Sequence, residues 1–323
     1  MKVYNSIATL PPFNKAVVTI GTFDGVHLGH QQIIAQLRKE AQRIGGETVL
    51  VTFDPHPRKI VSPHPLQLIN TLPEKIELLE RQGIDNLVIV PFTPAFSNQP
   101  ASAYIEDFLV SRFHPHTVII GYDHRFGKDR SGDFHLLEQY AQQHAFELIE
   151  IPVHVIDEAS ISSTKIRAAL LGGHIEEAAR FLGYDYFFEA TVVQGNKLGR
   201  TIGYPTANLQ PQDTDKLIPG NGVYAVNAAI VNRQNGDTET HSPLTAHHSL
   251  LKGMMNIGVR PTINGTQRVI EVNIFDFDAD IYGYELRITL KKYLRGEQKF
   301  NGLDALKEQL AKDRENALRK LRD

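Results

Sequence analysis

Ala16-Val17-Val18-Thr19-Ile20-Gly21-Thr22-Phe23-Asp24-Gly25-Val26-His27-Leu28-Gly29-His30 decides how the first half of the chain is read. Its first five residues form a β-branched run that suits a buried strand. Three glycines follow, and each lets the backbone turn tightly. Then Ile33, Ile34, Leu37, Ala41 and Ile44 recur along one helical face until Gly45-Gly46 stop it. The stretch is a strand, a glycine-rich turn and a helix. Backbone N–H groups at a helix N-terminus lack partners and carry partial positive charge, so they attract phosphate. His27 and His30 are three residues apart and lie side by side on a first helical turn. Two imidazoles there can donate hydrogen bonds to phosphate oxygens and stabilise charge growing on a departing pyrophosphate.

The same rhythm continues outward. Residues 48–53, 87–90 and 117–120 are short apolar runs, with helical patterns near 73–82 and 101–112 between them. Strand, helix, strand implies an α/β domain with a parallel sheet covered on both faces. In such sheets ligands bind beyond the carboxyl ends of the strands. That position outweighs the plainer reading of 21–30 as a glycine turn with two polar caps. Two short helical patterns, about 164–171 and 175–182, close this half; Gly172-Gly173 separate them and Gly183 ends the second.

From Tyr186 onward the pattern is of strands, at 187–193, 222–230, 254–257, 269–275 and 285–290. Turn residues punctuate them, as in a small antiparallel barrel. A last helix, about 303–321, carries Leu303, Leu306, Leu310, Ala317 and Leu321. The boundary falls near Tyr184–Tyr186, giving domains 1–184 and 185–323. Residues 232–252 are polar and loop-like. His241, His247 and His248 sit there, but no carboxylate stands at ligand spacing, so a solvated insertion is preferred to a metal site.

Composition sets the outer bounds. A chain of 323 residues suits two domains. Thirty-four Lys and Arg against 37 Asp and Glu give a net charge of −3, so a nucleic-acid-binding surface is not expected. There is no cysteine, which excludes disulfides, thiolate metal sites and thiol catalysis. Met1–Ser6 shows no signal-peptide pattern and no apolar run reaches membrane-span length, so a cytoplasmic protein without membrane partners is expected.

Gly21–His30 resembles the HxGH signature of the nucleotidylyltransferase superfamily. The longer string GTFDGVHLGH resembles the first motif of the bacterial bifunctional riboflavin kinase/FAD synthetases, which usually carry Asn at the position of Thr22. That likeness implies a Rossmann-like N-terminal domain, nucleotide contacts from Gly21, Thr22, Phe23 and Gly29, and catalytic roles for His27 and His30. Three further segments match the family in order. In Thr52-Phe53-Asp54-Pro55-His56-Pro57 the resemblance implies flavin contacts from Asp54, Pro55 and His56, while a purely structural role for His56 stays open. In Gly121-Tyr122-Asp123-His124-Arg125-Phe126-Gly127 it implies nucleotide or flavin contacts from Asp123, with Arg125 and Lys128 close by; many members have an aromatic at His124. In Ile161–Arg167, Ser163 or Thr164 can be a helix N-cap. The resemblance makes Ser163, Thr164 and Arg167 approach the ATP phosphates, with Lys165 where Arg is commoner. The implied reaction is attack of the FMN phosphate on the α-phosphorus of MgATP. The attacker is already an anion, so no strong base is required.

The second half holds Gly195-Asn196-Lys197-Leu198-Gly199-Arg200. Its residues Gly195, Lys197, Gly199 and Arg200 can wrap phosphates or simply form a hairpin loop. The following Gly203-Tyr204-Pro205-Thr206-Ala207-Asn208 resembles the hallmark of riboflavin kinases. Thr206 and Asn208 offer hard oxygens suited to Mg²⁺. By the same likeness Glu271 is the catalytic base that takes the proton of the ribityl hydroxyl as it attacks the γ-phosphorus. A Glu271 that merely faces solvent in an alternating strand stays open. Asn273 stands where His or Thr is frequent, and 295–300 also fits the family. The resemblance spans nearly the whole chain. It implies riboflavin, FMN and FAD as substrates and products, MgATP as co-substrate, and a monomer or weak homo-oligomer. Two alternatives remain: another nucleotidylyl acceptor on the same fold, or a decayed half that serves as a binding module.

Overall fold

Apolar runs rich in β-branched residues pair where both faces are to be buried, and four strands of the first half are of this kind. The computed structural model describes residues 1–122, 124–151, 161–195, 199, 202–233, 250–262 and 265–322. Asp123, Lys197, Arg200, His241, His247 and His248 lie outside the described residues. The chain divides into two compact units, Met1–Ser163 and Thr164–Asp323.

In the first unit β1 (Lys2–Tyr4), β2 (Val17–Ile20), β3 (Thr48–Asp54), β4 (Asn86–Pro91), β5 (Thr117–Gly121) and β6 (Glu147–Ile151) form one sheet in the order β1-β4-β3-β2-β5-β6. Every pairing is parallel. Val18, Ile20, Val49 and Val51 pack on one side with Ile105, Phe108 and neighbours from residues 101–113, and with Leu137 and Ala141 of the helix Phe134–His144. Helix α1 (Leu28–Ile44) packs on β2, β3 and β5. It buries Ile34, Leu37 and Ala41 and ends on Gly45, whose φ of 63° is left-handed. Residues 101–113 form a helix interrupted by a π-helical stretch, Tyr104–Val110. Strands β1 and β6 and the helix Phe134–His144 add to the sequence expectation.

In the second unit β7 (Phe187–Val193), β8 (Ala207–Pro211), β9 (Gly222–Arg233), β10 (Leu251–Thr262), β11 (Gly265–Ile274) and β12 (Tyr284–Arg295) close a barrel in the order β10-β11-β8-β7-β12-β9. All pairings are antiparallel. Alternate residues such as Ala190, Val192, Leu286 and Ile288 are buried, as a small filled barrel requires. Four of the strands run longer than the sequence pattern indicates, and β8 lies inside the motif after Pro205.

The C-terminal helix Leu303–Lys320 covers the barrel through Ala317 and Leu321, which pack with Ala225, Met254 and Phe275. Leu303, expected on that apolar face, is 55% exposed at the helix start. Asp313 takes the buried place instead, 2% exposed. Arg295, the last residue of β12, meets it with Nε at 2.9 and 3.0 Å and Nη2 at 2.6 Å, and Gln309 adds a bond at 2.9 Å. Replacing one partner of a buried pair leaves the other charge uncompensated. Asp313→Ala is expected to cost about 3 kcal/mol of stability in denaturant unfolding, whereas a loss within error of zero would show that the helix is held by its apolar contacts alone.

Candidate active sites

In the first unit three of the sequence motifs follow neighbouring parallel strands: 21–30 follows β2, 54–57 ends β3 and 121–127 follows β5. The order reverses at β2, with later strands β3 and β4 on one side and β5 and β6 on the other. That switch point opens a crevice at the carboxyl edge.

The 21–30 turn is tightly determined. Phe23 and Val26 hold left-handed φ values of 47° and 37° around Gly25 at 91°. Non-glycine residues adopt that region only when surroundings impose it. Asp24 supplies part of the imposition. It is 1% exposed, and its Oδ1 accepts the Ile69 and Asn70 amides at 3.0 and 3.3 Å. Ser163 Oγ donates to the Asp24 carbonyl at 3.0 Å, which brings the fourth motif to this turn. The Thr22 carbonyl accepts from Thr52 Oγ1 at 3.1 Å and from Lys75 Nζ at 3.0 Å.

His27 caps α1, its Nδ1 accepting the His30 amide at 3.4 Å, so its ring proton sits on Nε2. The two imidazoles stack with centroids 3.7 Å apart, and Phe23 backs His30 at 5.0 Å. The Phe23 ring is buried, so a ligand can meet this residue only through its backbone. Gly29 is buried on the first turn of α1, while Gly21 and Thr22 are partly exposed. His30 Nδ1 is buried without a hydrogen-bond partner. An orphaned buried nitrogen beside a helix N-terminus fits a phosphate oxygen.

The remaining motif residues differ in what they do. Asp54 and Pro55 are exposed at the end of β3. His56 is buried and uses Nδ1 to accept the Arg58 amide at 3.1 Å as N-cap of α2 (Pro57–Val61). Arg125 pairs with Asp133 at 3.0 Å. Thr164 and Arg167 lie on the helix Ser163–Leu171 and belong to the second unit.

In the second unit the barrel register assembles the other motif. Glu271 on β11 lies directly opposite Asn208 on β8 and opposite Asn256 on β10. Cross-strand partners share one face of a sheet. Glu271 is partly exposed, and Arg260 Nη2 reaches its Oε1 at 3.1 Å. Asn273, two residues on, donates to the Pro205 carbonyl at 2.6 Å and so holds the strand entry that carries Thr206. Gly195 lies close against this row and Gly199 against the strand entry: a Cβ on Gly195 would collide with the Asn208 amide, and one on Gly199 with the Tyr204 carbonyl. The glycines are needed for that approach. The Thr206 hydroxyl and Asn208 carbonyl oxygens, with a carboxylate across the ladder, form a hard-oxygen set that fits Mg²⁺ carrying nucleotide phosphates. Beside Thr206 a cleft of about 420 Å³ opens between Val192, Ala207, Val272 and Ile274, with Asp278 and Asp280 near it.

Two sequence profiles match the chain: FAD synthetase over residues 11–165 and riboflavin kinase over residues 182–321. A bifunctional riboflavin kinase/FMN adenylyltransferase of Listeria monocytogenes is 39% identical over 303 residues, 93% of this chain and 90% of that one. The chain belongs to this bifunctional family. The Haemophilus influenzae relative of the same description is 36% identical over 302 residues, covering 93% of this chain and 92% of its own. Among solved structures, one from Streptococcus pneumoniae described as a macrolide-efflux protein superposes with a TM-score of 0.85 at 30% identity, covering 98% of both chains. Its description belongs to that protein. Among the described residues of the present chain no helix is long and apolar enough to cross a membrane.

In this bifunctional family member the structure brings Ser163 to the 21–30 turn and sets Glu271 opposite Asn208, with Thr206 just before β8. It also sets Lys75, Asp24 and Arg260 against these residues, which the sequence motifs did not single out. Asp24 stood inside the quoted motif, and its spacing from 69–70 gave no signal. His30 has a titration consequence. Burial holds its pKa well below the usual 6.5, and the neighbouring His27 and Lys75 add to this. Folded His30 is therefore neutral where the unfolded chain already protonates it. The unfolded state binds more protons there, so this contribution to stability is full above pH 6.5 and falls as pH drops below it. Thermal stability of the wild type is expected to fall as pH drops below about 6.5, and His30→Gln to flatten that slope; equal slopes would remove His30 from the account.

Proposed function

We propose that the chain makes FAD from riboflavin in two steps, with FMN formed in the second unit and adenylylated in the first. The division of function is placed at Tyr184/Asp185, next to the start of the riboflavin kinase match at residue 182. The observation that carries the reading is one chain holding both constellations: the stacked His27–His30 pair at a sheet switch point, and the Glu271–Asn208 row closely approached by Gly195.

In the second unit Glu271 accepts the proton of the ribityl hydroxyl as that oxygen attacks the γ-phosphorus of ATP, the bond to the β–γ bridging oxygen breaks and ADP leaves. A neutral hydroxyl needs such an acceptor. Thr206 and Asn208 would hold Mg²⁺, which when bound neutralises phosphate charge. Gly195, Lys197, Gly199 and Arg200 wrap the phosphates. The apolar cleft beside Thr206 receives the nucleotide's flat base. Arg260, 3.1 Å from Oε1 of Glu271, holds the carboxylate in position.

In the first unit the FMN phosphate attacks the α-phosphorus of ATP and pyrophosphate leaves. His27 and His30 donate to the phosphate chain, joined by the backbone of Gly21, Thr22, Phe23 and Gly29 and by Ser163; the family resemblance alone gives Thr164 and Arg167 a phosphate role. Asp54, Pro55, His56, Asp123 and Arg125 face the flavin. A chain without cysteine whose co-substrate is ATP suits the cytoplasm, acting on small molecules as a monomer or weak homo-oligomer, with no nucleic-acid partner.

Chromatography of a time course with riboflavin, ATP and Mg²⁺ tests the reading: FMN is expected first and FAD after it. Glu271→Gln is expected to abolish FMN formation while supplied FMN is still adenylylated, and loss of both activities would defeat separate sites. His30→Ala is expected to slow FAD formation roughly a hundredfold and to spare FMN formation; an unchanged FAD rate would take His30 out of the mechanism.

A further inference from the structure

Lys75 sits on α3 (Leu72–Arg81), 5% exposed, where packing alone would favour an apolar side chain. Burying an ammonium carries a large desolvation penalty. Burial accordingly draws its pKa down, and the carboxylates of Asp24 and Asp54 oppose that shift. The ammonium is spent on one acceptor of the site, the Thr22 carbonyl, which it reaches at 3.0 Å. Thr52, fully buried on β3, donates to the same carbonyl at 3.1 Å. Two donors from two different elements therefore fix one peptide of the turn.

That peptide is Thr22–Phe23, and it is trans. In a planar trans peptide the carbonyl and the following N–H point in opposite directions. With the carbonyl held by Lys75 and Thr52, the Phe23 N–H faces away from both. Phe23 also keeps its left-handed φ of 47°, a conformation that an unrestrained phenylalanine does not adopt. We propose that Lys75 is a positioning residue for adenylyl transfer: by gripping the Thr22 carbonyl, it turns the Phe23 N–H toward the nucleotide phosphates. The proposal rests on the reading of the first unit as the adenylyl-transfer site. Preorganised N–H donors count most where charge grows during reaction, so the effect belongs in kcat rather than in flavin affinity.

The test uses the full chain and follows FAD formation from FMN and MgATP for Lys75→Met, Thr52→Val and the double variant, with melting temperatures alongside. Lys75→Met is expected to lower kcat roughly tenfold or more while the KM for FMN stays within about twofold. Thr52→Val, nearly isosteric, is expected to lower kcat severalfold at an unchanged melting temperature. Because both side chains act on one carbonyl, the double variant is expected to lose less than the product of the single losses. Wild-type kcat in either single variant overturns the proposal, as does a double variant that multiplies the two losses independently. If Lys75→Met does not fold, Thr52→Val alone decides: lowered kcat at an unchanged melting temperature supports the grip on Thr22, and wild-type kcat overturns it. A wild-type chain that makes no FAD from supplied FMN instead sinks the reading of the first unit, and this proposal with it.

Discussion

Parallel strands all deliver the chain at the same edge of a sheet, and the first site depends on that constraint. Strands β2, β3 and β5 are neighbours, so the segments that follow them converge without any long excursion. The 21–30 turn occupies the position where the strand order reverses, flanked by chain from both sides. Its left-handed residues could not persist in an isolated loop. Asp24 pinning 69–70, Ser163 reaching the Asp24 carbonyl, and Thr52 and Lys75 on the Thr22 carbonyl together over-determine it.

The two constellations differ as their chemistries do. An anionic phosphate needs no proton acceptor to attack, and the first site offers imidazoles and helix N–H groups, with His30 held neutral by burial. A ribityl hydroxyl must give up a proton, and in the proposed reading the acceptor is the Glu271 carboxylate, set opposite Asn208 by ladder register. Arg260 reaches that carboxylate from the neighbouring strand of the same hairpin. Register does for the barrel what the switch point does for the parallel sheet. Both are backbone devices that place side chains far apart in sequence within reach of one another.

Much of this was legible because buried parallel strands are nearly continuous β-branched runs, and because Gly45, Gly173 and Gly183 mark turns and helix ends by their left-handed φ. Strand β6 escaped notice because its Glu147 and Glu150 are solvent-facing, and β8 because its residues read first as site chemistry. Residues 101–112 read as one helical pattern, since nothing in hydrophobic spacing distinguishes a π turn. Lys75 and Asp313 were illegible for a shared reason. A charge on a helix looks solvated until its partner, on a different element, is placed beside it. His56 shows the converse: its motif suggested a ligand contact, and the fold gives one of its nitrogens a capping duty.

Strand β12 closes the barrel by pairing with both β7 and β9, and its last residue, Arg295, also anchors the C-terminal helix through Asp313. The parallel sheet, by contrast, is complete at Ile151. During synthesis the first unit therefore has all its strands while the ribosome is still making the second, and the barrel must wait for nearly the whole chain. Domains fold as units in the order they emerge. Until β12 arrives, β7 and β9 each present a bare edge, the kind of surface that pairs with other chains. The activity that acts first on the vitamin thus matures last, and its birth is the step most exposed to aggregation.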